Sequence, residues 1–412
     1  MPAKKHKQPA HLRSPKGRLG IWVFGARGGL ATTVVVGARA IARDLADTQG
    51  LITETPLFEG IGLAPIENLV FRGHEVRNGN LHEAATEIYH KTGSIPFPTL
   101  QKLKPDLARI DKNIRTGSTL NAGKTIQTLA SRKPRRNITL AGEVRRLRKD
   151  IRDFMSRNRL SRCICVNLTS TEPRLRLSGT HESLARFEQA IEHNRLGAVR
   201  PSALYAYAAA SLGLPFVHFT PSNATLIPAI QELFERNSTP YMGCDGKTGE
   251  TLVKSSMAPM FKYRNLHVLA WQGYNMLGDR DGAVLANAEN KQSKVETKDA
   301  LLSQILGYPL HTHVGIDYVP SLSDLKTAWD FIHFEGFLGH KMSMQFTWQG
   351  CDAILAAPLV LDMARLADLA KRRGESGPMR HLSCFFKKPL GVDDHDLHKQ
   401  WHMLTDYVQN CR

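Results

Sequence analysis

Residues 19–45 constrain the fold more than any other stretch. Leu19-Gly-Ile-Trp-Val-Phe24 is an apolar run of strand length, Gly25-Ala-Arg-Gly28-Gly29 reads as a turn, and Leu30 to Leu45 reads as a helix. A strand without polar alternation is buried on both faces, the setting of a parallel sheet flanked by helices. Glycines between such a strand and a helix let an anion approach the backbone N–H groups at the helix start. A pyrophosphate-binding turn made of Gly25, Ala26, Arg27, Gly28, Gly29 and Leu30 is therefore expected. The spacing is G-x-x-G-G rather than G-x-G-x-x-G, so a plain tight βα turn is the competing reading.

Two further strand ends extend the pattern. Cys163-Ile-Cys-Val-Asn-Leu168 runs into Thr169-Ser170-Thr171-Glu-Pro173, and Phe216-Val-His-Phe219 runs into Thr220-Pro221-Ser-Asn223. Helices are expected at about 181–195, 202–212 and 225–236. Alternating strands and helices predict an α/β fold, a doubly wound Rossmann-type parallel sheet that binds ligands beyond the carboxyl ends of its strands. Ser170, Thr171, Thr220 and Pro221 fall on that edge. Leu51-Ile-Thr-Glu54 is the candidate second strand, with Glu54 placed to bind a ribose hydroxyl and so to favour NAD over NADP.

After Lys247 the pattern changes. Lys341 to Gln349 alternates strictly, with Met342, Met344, Phe346 and Trp348 on one face. That predicts an antiparallel-type strand with one buried face, and 267–272 and 311–319 are its expected partners. Four segments follow: a disordered basic tail over 1–18, an NAD-binding domain over 19–247, an inserted α+β catalytic and oligomerisation domain over 248–350, and a return to the first domain over 351–412. Four large apolar side chains on one face are more than a small inserted domain covers alone. A homotetramer or dimer associating through this sheet is expected.

The net charge of +17 would by itself suggest a nucleic-acid partner. Residues 1–18 carry six basic side chains and no acid, and residues 132–162 carry twelve against three acids, so these blocks hold +15 of the +17. The rest of the chain is nearly neutral. Leu140, Val144, Leu147, Ile151 and Phe154 recur at helical spacing among arginines, which predicts an amphipathic surface helix within a basic helical hairpin. No aromatic-rich or zinc-finger pattern accompanies the charge, which argues against nucleic acid as the main partner. No run of 18 apolar residues is present and no apolar segment follows the basic N-terminus, so neither a membrane span nor a secretory signal is expected. Six scattered cysteines fit a reducing cytoplasm.

The chemistry concentrates between Asp245 and Lys326. This stretch reads Asp245-Gly-Lys-Thr-Gly-Glu-Thr-Leu-Val-Lys254, then Tyr274-Asn-Met-Leu-Gly-Asp-Arg-Asp-Gly282, then Ser293-Lys-Val-Glu-Thr-Lys298, and ends in Asp324-Leu-Lys326. Lysines four apart on a helix repel by a few tenths of a kcal/mol, so Lys294 and Lys298 gain most with an anion between them. Such polar density suits a phosphosugar.

These blocks, with Gly25 to Gly29 and Cys351-Asp-Ala-Ile-Leu-Ala-Ala-Pro358, resemble the myo-inositol-1-phosphate synthase (inositol-3-phosphate synthase) family, in its archaeal and bacterial form. The resemblance runs from about residue 19 to the C-terminus, in family order. It departs at Asp279-Arg-Asp281-Gly, where eukaryotic members have Asn-Asn-Asp-Gly, which bears on cation use, and in the unusually basic 132–162 block. The resemblance implies conversion of D-glucose 6-phosphate to 1L-myo-inositol 1-phosphate with a tightly held NAD, through C5 oxidation, C6 enolisation, aldol closure onto C1 and C5 reduction.

The same resemblance assigns roles. Lys294 and Lys387 would transfer protons at C5 and in enolisation, Lys326 would hold the C1 carbonyl oxygen, and Lys298 the phosphate. Asp281 and Asp352 would orient lysines or sugar hydroxyls, Asn275 would hydrogen-bond the substrate, and Asp245 would meet the nicotinamide or a cation of unspecified identity. A proton-accepting lysine should have its pKa lowered by burial and neighbouring cations. An ordinary NAD-dependent dehydrogenase, a cyclase of another phosphosugar, and a basic nucleic-acid-binding protein on an inactive Rossmann fold are the alternatives.

Overall fold

The computed structural model describes residues 15–131, 138–278, 301–323 and 325–412. The chain begins with β1 (Leu19–Phe24), β2 (Leu69–Glu75), β3 (Arg115–Thr116), β4 (Cys163–Asn167), β5 (Phe216–His218) and β6 (Pro240–Gly243). A second group follows: β7 (His267–Leu277), β8 (His311–Tyr318), β9 (Leu325–Glu335) and β10 (Lys341–Cys351), before a short β11 (Gly377–Pro378). The first group and β11 form one seven-stranded sheet in the order β11-β6-β5-β4-β1-β2-β3, and every pairing in it is parallel.

The strand–turn–helix at the start explains this sheet. β1 is buried at every position, with Leu19, Ile21 and Val23 in one core and Trp22 and Phe24 in the other. The first core is covered by α1 (Gly29–Ile41), α2 (Leu81–Thr92) and α3 (Phe97–Asp111). Beyond a short α4 (Lys124–Leu129), the second core is covered by α5 (Leu140–Arg157), α6 (Leu184–Glu192), α7 (Pro201–Ser211) and α8 (Pro228–Arg236). Then α9 (Gly249–Tyr263) packs Ala258 and Phe261 on Trp271 of the second sheet, and α10 (Asp352–Arg372) and α11 (Leu397–Asn410) return to the first core. No helix of the described residues is long and apolar enough to cross a membrane.

Three expectations need correction. Leu51–Glu54 is not a strand: Ile52–Glu54 forms a 3-10 turn, tied down by Asp362, which accepts from the N–H groups of Ile52 and Thr53 at 3.1 and 3.2 Å. The second strand is β2, whose Arg72, His74 and Glu75 interrupt the apolar pattern that marks its neighbours. Strand β10 does not pair with 267–272 or 311–319. Its neighbour is β9, and the second sheet runs β10-β9-β7-β8 with β7 and β8 parallel. β9 alternates Ala328, Asp330, Ile332 and Phe334 into the core, and the buried aspartate hides that alternation in the sequence. Lastly, the described part of the basic block is one helix rather than a hairpin. All five of its expected apolar positions are buried.

Candidate active site

A cavity of about 470 Å³ opens beyond the carboxyl ends of the parallel strands. Gly25, Arg27, Gly28, Gly29, Leu30, Ser170, Thr171, Thr220, Pro221, Asp245, Asp352 and Lys387 all line it, so most of the residues singled out from sequence meet in one place. Ala26 is buried beneath the turn. Lys294, Lys298 and Asp281, and Asp324 of the motif before Lys326, lie outside the described residues.

One end of the cavity is built to receive an anion. Gly25 has φ +84°, and a Cβ there would stand 2.8 Å from the Leu168 carbonyl oxygen, so only glycine fits. Helix α1 starts at Gly29, and Gly28 before it offers no side-chain cap, which leaves the first N–H groups of the helix for a ligand. A Cβ on Gly29 would meet no atom within 4 Å, so the helix start is open to a pyrophosphate. Arg27 turns its guanidinium onto Asp111, at 2.8 and 3.0 Å, and braces the turn.

The acid at the end of the second strand is Glu75, not Glu54. Glu54 pairs with Arg365 at 2.5 Å and does not line the cavity. Glu75 lines it and accepts from the N–H groups of Arg27, Val76 and Arg77 at 2.8, 2.8 and 3.0 Å. Burial opposes its charge, but the Arg77 guanidinium and these N–H donors hold its pKa below the usual carboxylate value. The dinucleotide-binding rule puts a ribose hydroxyl beside such an acid. Glycine turn, open helix start and strand-end acid all fit NAD.

On the facing wall, Asn167 links the loops after β4 and β5. It accepts from Thr169 Oγ1 at 3.0 Å and donates to Thr220 Oγ1 at 3.2 Å, and its amide lies 3.1 Å from His218 Nδ1. Burial pushes His218 down to about 4, so the imidazole is neutral, with Nε2–H donating to the Ser222 carbonyl at 2.7 Å.

At the other end of the cavity the chemistry turns ionic. Asp245, at φ +63°, accepts from Lys387 Nζ at 3.1 Å, and the Lys387 N–H donates to the Asp245 carbonyl at 2.7 Å. Burial acts to lower the pKa of Lys387, but Asp245 and Asp352 outweigh it and raise it above the ordinary lysine value. The lowered pKa expected of a proton-accepting lysine is therefore not found at Lys387. Asp352 opens α10 and accepts from Thr248 Oγ1 at 3.3 Å and from Lys326 Nζ at 3.5 Å. Lys326 also lies over the Trp348 ring, 6.0 Å from its centre.

Behind these pairs is a buried cluster that the sequence reading missed. Lys254 Nζ lies 2.6 Å from Glu250 and 3.7 Å from Asp330, and all three side chains are at most 1% exposed. Trp271 Nε1 donates to Asp330 at 2.7 Å, and Asn275 Nδ2 donates to Glu250 at 2.5 Å. Asn275 is thus buried in this cluster rather than lining the cavity. Gly273 makes room for it: a Cβ there would come 2.2 Å from Glu250. Glu250 and Lys254 at i, i+4 were a readable helical pair, whereas Asp330 inside a strand gave no local signal. Among the described residues no group of three His, Cys, Asp or Glu is arranged to hold a metal ion.

A parallel sheet with an open helix start at its carboxyl edge, continuing into a second sheet that carries buried ion pairs, defines an NAD-binding α/β enzyme. The profile of an NAD-binding family, myo-inositol-1-phosphate synthase, matches residues 19–409. The chain is 34% identical to inositol-3-phosphate synthase 1 of Bacteroides thetaiotaomicron, over 97% of this chain and 96% of that protein. It is 27% identical to the inositol-3-phosphate synthase of Dictyostelium discoideum, over 86% of this chain and 75% of that one. Among solved structures, the inositol-3-phosphate synthase of Caenorhabditis elegans shares the fold, with a TM-score of 0.85 at 24% identity, covering 96% of this chain and 86% of that chain. A myo-inositol-1-phosphate synthase-related protein from Thermotoga maritima does so at 0.77 and 21%, covering 95% and 98%. The chain belongs to the myo-inositol-1-phosphate synthase family.

Proposed function

We propose that this enzyme converts D-glucose 6-phosphate to 1L-myo-inositol 1-phosphate. The observation that carries this reading is one cavity that joins the NAD-binding turn to Asp245, Lys387 and Asp352, with Lys326, which does not itself line the cavity, paired to Asp352 at its edge. We take residues 248–350 as a catalytic and oligomerisation unit inserted into the NAD-binding unit of 19–247 and 351–412.

Bound NAD supplies a reversible two-electron acceptor for C5, and the protein supplies the rest. Oxidation makes the C6 protons acidic, because the charge left by losing one delocalises onto the C5 oxygen. Lys387, kept charged by Asp245 and Asp352, is suited to stabilise that oxyanion rather than to act as a resting base. The enolate carbon then attacks the C1 aldehyde, and a second oxyanion forms at C1. Lys326, with a side chain only 12% exposed and oriented by Asp352, would neutralise it. Lys294 would accept the protons released at C5 and C6, Lys298 would hold the phosphate and Asp281 would orient them, roles that rest on the family resemblance, and C5 is reduced back to the alcohol after ring closure. Asn275 would act from behind, through Glu250.

Incubating the purified protein with glucose 6-phosphate and NAD should yield inositol phosphate, identified after periodate oxidation of the residual sugar, without net growth of NADH absorbance. NADH rising in proportion to product would instead identify a dehydrogenase. We further read the enzyme as a homotetramer or dimer joined through the second sheet. Supporting this, β10 is an edge strand on which Met342 is 37% exposed and Phe346 and Trp348 are only half-buried.

A further inference from the structure

The solvent face of α5 is cationic along its length. The five exposed residues of this helix are Arg145, Lys149, Arg152, Ser156 and Arg157, and Arg159 follows just past its end, also exposed. Arg145, Lys149 and Arg152 stand at i, i+4 and i+7, on one face. The acids of the helix neutralise only Lys149 of this stripe and leave its arginines unpaired. Glu143 and Asp150 pair with Arg146 at 2.6 and 3.1 Å, and Asp153 pairs with Lys149 at 2.6 Å. Among the described residues, Arg145, Arg152, Arg157 and Arg159 have no ion-pair partner. Arg148, on the flank towards α6, shares the field of Glu188 and Glu192 around Tyr207 and is not counted in the stripe.

The fold also brings the second basic segment to this helix. Arg18 donates to the Asn158 carbonyl at 2.7 Å, directly after the last turn of α5, and both Lys16 and Arg18 are exposed. Two basic segments 140 residues apart in sequence therefore form one surface. It is separate from the active site, since no residue of α5 lines the cavity.

We infer that this face binds the phosphate backbone of duplex nucleic acid without regard to base sequence. Arginine dominates the stripe, and its planar fork matches phosphate oxygens two at a time. An 18-residue helix is about 27 Å long, enough to follow several phosphates of one strand. No aromatic side chain is exposed on α5, so stacking on single-stranded bases is not available. Nor does the helix fit a membrane anchor, because its apolar face is buried in the protein core and no exposed apolar residue remains to enter a bilayer.

The test uses the full-length enzyme, a fluorescein-labelled DNA duplex of arbitrary sequence, and anisotropy titrations over a range of salt. Each neutralised phosphate contributes a slope of about −0.9 in log affinity against log salt. Four arginine contacts would weaken binding about a hundredfold between 50 and 200 mM salt. A second duplex of unrelated sequence should bind equally well. Arg145→Gln/Arg152→Gln/Arg157→Gln/Arg159→Gln should flatten the slope by about 3 to 4 and leave phosphosugar turnover unchanged, which also shows that the variant is folded. Absence of duplex binding at low salt, or an unchanged slope in the variant, would overturn the inference. Uptake by anionic phospholipid vesicles without duplex binding would overturn it in favour of a membrane surface.

Discussion

Lys254→Met keeps the length of the side chain but removes the ammonium that lies 2.6 Å from Glu250 and 3.7 Å from Asp330. All three groups are buried, so water cannot take over the ammonium's role. Breaking a buried ion pair from one side typically costs about 3–5 kcal/mol. For a chain of this size, that should lower the thermal midpoint by about 3–6 °C. The loss should also depend on pH. Without Lys254, both buried carboxylates lose a neighbouring cation, and burial acts to raise their folded pKa values above the unfolded value of about 4. An acid with a raised folded pKa costs nothing while the unfolded chain is also protonated, and costs progressively more as pH rises through and beyond that unfolded value. The gap between wild type and Lys254→Met should therefore be wider at pH 8 than at pH 5, read as thermal midpoints by circular dichroism. Turnover should fall as well, since Glu250 holds Asn275 at 2.5 Å. Adding Glu250→Gln to the variant should recover part of the stability, because it removes one of the two charges. A gap of less than about 1 kcal/mol, or one equal at both pH values, would show that Lys254 is not what holds this cluster together.

Other predictions address the site and its frame. Lys326→Ala should slow ring closure by roughly a hundred- to thousand-fold, about 3–4 kcal/mol, while C5 oxidation continues. Rapid-scan absorbance in a single turnover should then show bound NADH without inositol phosphate, whereas Lys294→Ala should show neither; normal turnover by Lys326→Ala would remove it from the mechanism. Glu172, buried against the first turn of α7, has its pKa pushed up to about 7 by burial, so wild-type stability falls as pH rises from about 4.5 to 7. Glu172→Gln should lose that part of the pH dependence in urea unfolding, and an unchanged profile would contradict the assignment. Trp348→Glu, on the exposed edge strand β10, should weaken assembly, and an unaltered mass by light scattering would count against that interface.

Local patterns in the sequence determined what neighbouring residues can settle among themselves. The two-faced apolar run of β1, the glycine turn and the five buried positions of α5 are properties of period and spacing, and they folded as their periodicity required. Motifs pointed to Asp245, Asp352 and Lys387, which do meet in one cavity, and to Lys326, which pairs with Asp352. What depended on partners from distant parts of the chain was not readable. The acid of the second strand proved to be Glu75 rather than Glu54, because Arg72 and His74 interrupt β2 and only sheet register shows where a strand ends. Asp330 reads as an error in an alternating strand until Lys254 and Trp271 are brought to it from another helix and strand. The charge on Lys387 was decided in the same way. Burial alone would lower its pKa, and it is the fold, by setting Asp245 3.1 Å away, that raises it. Periodicity acts over a few residues of backbone, whereas electrostatics and strand pairing act through space, so the regularly patterned elements were legible in the sequence, and the polar-interrupted strands, their register and the charge states had to await the tertiary structure.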